Sequence, residues 1–181
     1  MNTTSTGTVL LEVPDPDVCI ATEAELAAPD LFGVSVTSRC AYYQQVCQLP
    51  ASLDSVTGQI IVVAGRVQAV MVPWTLGQRV RAALTRSENS GGPIVSHPRS
   101  GTWTFLTNSD RDLEPTPDDT RLWLGNVVVL SAGAPIPLPT PTATNTDRCR
   151  EWELPPTSPQ RPTTFAVLTA IRACLERGGR R

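Results

Sequence analysis

Between Gln59 and Thr107, strand and helix signals follow one another in an order that narrows the choice of fold more than anything else in the chain. Ile60 to Val63 and Val67 to Val72 are β-branched runs separated by Gly65-Arg66, a spacing that predicts a hairpin with glycine at the reversal. Pro73 closes the second run. Leu76, Val80 and Leu84 then recur every four residues, with Arg79, Arg81 and Arg86 on other sides, so an amphipathic helix is expected to lie against the ribbon. After Gly91-Gly92-Pro93 the period returns to two. Ile94 and Val95, a tight turn at Pro98-Arg99-Ser100-Gly101, and Trp103, Phe105 and Leu106 read as two further strands. The order β-β-α-β-β implies an α/β (α+β) domain with a two-layer core.

The flanks carry weaker signals. Residues 1–34 form an acidic arm that is only partly ordered in this reading, with a strand at Thr8 to Val13 stopped by Pro14-Asp-Pro-Asp17. Residues 35–178 are read as one domain and 179–181 as a tail. Cys40, Tyr43 and Cys47 fall at helical spacing between Ser38 and Gln48, Pro50 stops that helix, and Ala51 to Gly58 reads as a loop. Leu122 to Leu124 suits either a short helix or a strand. Val127 to Leu130 reads as a strand followed by a turn at Gly133. Ile136 and Leu138 alternate with prolines, which confines them to an edge strand or extended chain, and Thr140 to Thr146 is a low-complexity connector. Arg150 to Leu154 suits a last strand. Thr163 or Thr164 can cap a final helix with Phe165, Leu168, Ile171 and Leu175 on one face, ended by Gly178-Gly179.

A net charge of −2 gives no general attraction to nucleic acid or acidic membrane. The charges are unevenly placed all the same. Up to Asp54 there are seven carboxylates against Arg39, from Ser55 to Thr107 five arginines against Glu88, and from Asn108 to Asp119 five carboxylates against Arg111. All fifteen cations are arginine, which codon bias in a GC-rich genome explains more simply than selection for bidentate geometry. If one helix carries Cys40 and Cys47 they stand about 10.5 Å apart along its axis, beyond the roughly 7 Å a disulfide spans. Five cysteines without a CxxC, no signal-peptide pattern and no long apolar run together suggest reduced thiols in a cytoplasm and no membrane span.

His97 is the only histidine, so multi-histidine metal clusters are excluded and any Ser-His-Asp triad must use it. Between Ser96 and Pro98 it reads first as structural. An unrecognised catalytic site around it is one rival reading. Asp15-Pro-Asp17 and Asp110-Arg-Asp112 have the D-x-D spacing that places two carboxylates on one strand face, but both lie in turn or loop sequence. Gly91-Gly92-Pro93 lacks the GK[ST] of a phosphate loop. Arg79, Arg81 and Arg86, with Arg99 nearby, are candidates for a nucleotide or nucleic-acid face, and His97 and Trp103 stand close to them in sequence. Trp103 and Trp152 sit in strand-like settings that favour a core role over base stacking.

Several segments together resemble small actinobacterial proteins related to the N-terminal domain of bifunctional DNA primase/polymerases. They are Cys40-Ala-Tyr-Tyr, Leu49-Pro-Ala, Gly58-Gln-Ile-Ile, Val72-Pro with Leu76-Gly77 and Arg79-Val80, Gly92 to Leu106, and Trp152 with Pro155-Pro156. The resemblance implies an RRM-like sheet, mixed or antiparallel, with helices packed on it. In active members of that superfamily a hydrophobic-Asp-hydrophobic-Asp motif, a Gly-Gly-x-His-like motif and a further acid bind divalent metal and nucleotide. Here the corresponding strand reads Val70-Met-Val-Pro-Trp74 without an acid, and Ser100 to Phe105 has threonine or tryptophan where the histidine would stand. The expectation is therefore a non-enzymatic binding or regulatory module. It has no cofactor, no metal and no catalytic residue, acts with an unidentified protein partner, and has nucleic acid as the alternative ligand.

Overall fold

A computed structural model describes residues 35–86, 91–110, 120–141 and 150–178. The expected Thr8 to Val13 strand, Asp15 and Asp17, most of the acidic loop and most of the Thr/Pro connector lie outside these residues. In chain order the elements are α1 (Val36–Gln45), β1 (Ala51–Leu53), β2 (Ile60–Val63), β3 (Val67–Pro73), α2 (Trp74–Arg86), β4 (Ile94–His97), β5 (Thr102–Asn108), α3 (Thr120–Leu124), β6 (Val128–Val129), β7 (Pro135–Pro137), β8 (Glu151–Leu154) and α4 (Thr164–Gly178). None of these helices is long and apolar enough to cross a membrane.

The fold is α+β, with two antiparallel sheets of order β1-β2-β7 and β6-β3-β5-β4-β8. β3 and β4 both run antiparallel to β5, which lies between them, so α2 joins two parallel strands across an intervening one. Period two then sorts the side chains. Val70 and Val72 of β3, Ile94 of β4 and Trp103 and Phe105 of β5 face α2 and α4, where Leu76, Val80, Leu84, Val167, Leu168 and Ile171 complete one core cluster. Val67, Ala69, Val95, Leu106 and Trp152 face the other way, onto Cys40, Tyr43, Leu49, Ile60, Val62 and Ile136. The expected two layers are thus three, because α1 and the small sheet cover the second face.

The β-β-α-β-β order holds, but the hairpin between its first two strands does not form. β2 pairs with β1 and β7, and β3 pairs with β5 and β6, in separate sheets. Gly65 lacks the left-handed backbone that a two-residue hairpin turn requires. Ala64 N–H instead donates to Ala134 (2.9 Å), and Ala64 C=O accepts from Gly133 (2.9 Å), sending the chain round a corner into the second sheet. Residues 51–53, expected as loop, form the edge strand β1 against β2. Leu122 to Leu124 resolves into helix. Ile136 lies in an edge strand as its prolines require.

Both terminal helices start with side-chain caps. Ser35 Oγ accepts from Ser38 N–H and Ser38 Oγ accepts from Ser35 N–H (3.1 Å each), a reciprocal capping box. Thr163 Oγ1 accepts from Ala166 N–H (3.1 Å) at α4. The buried arc of α4 is Val167, Leu168, Ile171 and Cys174, so Phe165, expected on that face, lies about 60° outside it and is exposed.

Tyr43 joins the layers. Fully buried, it donates to Pro139 C=O (3.2 Å), accepts from Trp152 Nε1–H (2.8 Å) and meets the indole edge-on at 5.8 Å. In Tyr43→Phe the indole N–H and the carbonyl keep their burial and lose their partner. The expected loss is about 1–3 kcal/mol in urea unfolding. An unchanged midpoint would show that the phenol contributes packing alone.

Candidate functional site

A cleft of about 760 Å³ lies where four segments of the described chain meet. Gln44, Gln48, Leu49 and Pro50 come from the end of α1 and the chain after it, and Gly65, Arg66 and Val67 from the β2–β3 corner. Asn108 and Ser109 come from the end of β5, and Pro159 and Arg161 from the extended lead into α4. Main-chain bonds fix this meeting: Asn108 N–H donates to Pro162 (2.9 Å) and Ser109 N–H to Arg66 (3.0 Å). Gln48 holds φ +48°, a left-handed conformation for a residue with a Cβ, and that bend turns the chain from α1 along the cleft wall.

Arg161 crosses between segments. Its Nη1 donates to Cys47 C=O (2.9 Å) and its Nε to Asn108 Oδ1 (3.1 Å), while Asn108 Nδ2 donates back to Arg161 C=O (3.3 Å). Burial holds its guanidinium below the usual arginine range, and the like charge of Arg66 pushes the same way, partly opposed by Cys47. Arg66 projects from the corner and makes no ion pair or side-chain hydrogen bond among the described residues. Burial also pushes the Cys47 thiol to about 11, so it stays protonated at neutral pH and is a poor nucleophile.

The arginines singled out from sequence do not gather into one patch. Arg79 and Arg86 share a stripe of α2 and are exposed, while Arg81 lies roughly 150° round the helix and pairs with Glu153 of β8. Arg99 sits in the β4–β5 turn, whose Gly101 C=O accepts from Trp74 N–H (2.9 Å), at the end of α2 remote from Arg86. A second groove, of about 510 Å³, does bring Arg81, Arg86 and Trp103 together, with Glu153 beside them. Trp103 is nonetheless mostly core: its ring lies where a Cβ on Gly77 would come within 2.7 Å of it.

His97 lies on the sheet face opposite α2 and α4. Its Nε2 shares a hydrogen bond of 2.8 Å with Thr104 Oγ1. Burial, with the nearby charge of Arg150, lowers its pKa to about 4, so the imidazole is neutral near pH 7. The pair has the separation of a base and a hydroxyl nucleophile, but Thr104 is buried and neither residue lines either cleft. Asp110 has a structural task instead, accepting from Phe165 N–H (2.7 Å) at the start of α4. Asp112 lies outside the described residues. Among the described residues no group of three or more His, Cys, Asp or Glu is placed to hold a metal ion.

Sequence reading missed the main cleft. In sequence Arg66 stands in the Gly65-Arg66 turn and Arg161 in the proline-rich segment Pro155 to Pro162, and their one shared signal is an arginine inside an otherwise uncharged turn or proline segment. Among known proteins, no family model, no curated protein and no solved structure matches the chain.

Proposed function

We propose that the chain is a non-catalytic binding or regulatory module of primase-polymerase-like fold, acting in the cytoplasm with a protein partner, and that its ligand occupies the 760 Å³ cleft. The observation that carries this reading is the lining. Amides, one hydroxyl and two guanidinium groups can hold a polar ligand, whereas among the described residues none that lines the cleft is a carboxylate, imidazole or thiol that could move a proton or bind a metal. The volume suits a small molecule. The sheet itself supports the non-catalytic half of the reading. On the face away from α2 and α4, β3 carries Val67, Ala69, Met71 and Pro73, with Met71 opposite Thr104, whereas two-metal phosphoryl transfer needs paired carboxylates on a rigid element there.

Primer synthesis and extension with Mg²⁺ or Mn²⁺ are expected to stay at the buffer control, since losing the metal pair removes most of the stabilisation of the transferring phosphoryl group. Template-dependent product from the purified protein would overturn the reading. The groove that joins Arg81, Arg86 and Trp103 favours nucleic acid as the second reading. Filter binding across a salt series separates the two, because phosphate contacts impose a steep salt slope.

A further inference from the structure

We propose that the cleft binds a phosphorylated small molecule, with the phosphoryl oxygens held between Arg66 and Arg161. This rests on the reading of the cleft as the ligand site and names the ligand's chemical class.

Donor geometry supplies the first argument. A guanidinium carries five N–H donors, and Arg161 commits one from Nη1 and one from Nε to protein acceptors. Those two bonds lock the planar fork in place, so the remaining donors are held in position before any ligand arrives. Charge supplies the second. Two guanidinium groups line the one cleft, Arg161 half-buried and Arg66 exposed, and no carboxylate pairs with either among the described residues. A half-buried guanidinium without a counter-charge, beside a second cation, is stabilised by an anion that reaches both.

The number of charges and donors selects the anion. A carboxylate brings one negative charge and two oxygens, which leaves the pair of arginines half neutralised. A phosphomonoester brings a charge near −2 and three acceptor oxygens, enough to take both forks. The Ser109 hydroxyl and the second N–H of Asn108 Nδ2 add neutral donors along the same wall. Pro50 and Pro159, both exposed in the lining, offer apolar surface to the rest of the molecule. The volume of about 760 Å³ favours a small ligand over a polymer backbone. The site also differs from the one the primase-polymerase resemblance implies, since it lies at the Val67 end of β3 and not at the Val70 to Trp74 end.

Calorimetric titration of the full chain with inorganic phosphate, ribose 5-phosphate and ribose tests this. Ribose 5-phosphate is expected to bind and ribose not to, with inorganic phosphate competing. Arg66→Gln and Arg161→Gln should each weaken binding about tenfold to a hundredfold. Arg161 also ties segments together, so its variant could lose structure; Arg66 is exposed and makes no such ties, and its variant decides the question. Ser109→Trp, which fills the cleft, should abolish binding. Ribose binding that matches ribose 5-phosphate, resists Arg66→Gln and vanishes in Ser109→Trp would overturn the phosphate assignment and leave the cleft as the ligand site. Binding that survives Ser109→Trp would overturn both. Silence of both phosphate probes at millimolar concentration, or tight salt-sensitive binding of single-stranded DNA lost in Arg66→Gln, would also overturn the phosphate assignment.

Discussion

Gly92→Ala is expected to destabilise the fold by about 4 kcal/mol, the sum of a left-handed backbone strain of roughly 1–3 and an overpacking term of roughly 1–3. Gly92 holds φ +67°, and a Cβ there would press on Pro162 Cδ and stand 2.8 Å from its Cγ. Neither side can move freely. Pro93 C=O accepts from Leu106 N–H (3.0 Å) just after the glycine, and Pro162 C=O accepts from Asn108 N–H (2.9 Å), so both segments are bound to β5. Gly58→Ala is the matched control. It has the same φ of +67° and nothing within 4 Å of the added carbon, so it should incur the backbone strain alone. Denaturant unfolding of the two variants separates the terms. Equal losses would show that Pro162 yields. Because Pro162 follows Arg161, a surviving Gly92→Ala protein should also have a distorted cleft.

How far this architecture can be read from the chain depends on the range of the interaction concerned. Helix α2 is legible because Leu76, Val80 and Leu84 declare its buried stripe and Pro73 its start. The β4–β5 turn is legible because Pro98 to Gly101 contains its chemistry, including Gly101 at φ +61°. Strand partners are another matter. β2 is apolar at all four positions, so its pattern does not say which face or which neighbour it takes, and Gly65 at a corner looks like Gly65 in a hairpin. β1 is three residues long with two exposed, and only its pairing with β2 makes it a strand.

The cleft is less legible still, because residues 44–50, 65–67, 108–109 and 159–161 come together only through bonds between distant segments. Arg161 reaches Cys47 across a separation of 114 residues. Nothing local marks that reach. Of the positions picked from charge alone, Arg79 and Arg86 are exposed on α2, and Arg81 is half of an ion pair with Glu153. Counting arginines on a helix locates charge, whereas a site requires charge held by a second element.

The stability of this protein should fall by about 3 kcal/mol between pH 6.5 and pH 4 through His97 alone, on the scale of 1.36 kcal/mol per unit of pKa difference. An unfolded histidine titrates near 6.5 and the folded His97 near 4, held down first by burial and then by the charge of Arg150. Above pH 6.5 both states are neutral and the group contributes no slope. As pH falls through the window the unfolded chain takes up a proton that the folded chain refuses, so unfolding is favoured, and below pH 4 both states are protonated and the slope ends. Carboxylates add their own acid dependence, which a His97→Gln variant shares. The difference between wild-type and His97→Gln stability curves should therefore bend between pH 6.5 and 4 and be flat outside it. As the chain has a single histidine, one imidazole proton resonance reports the folded value directly. A midpoint near 6.5 with parallel stability curves would show that water reaches the ring, and would reopen this face of the sheet as a place where the imidazole and the Thr104 hydroxyl meet a ligand.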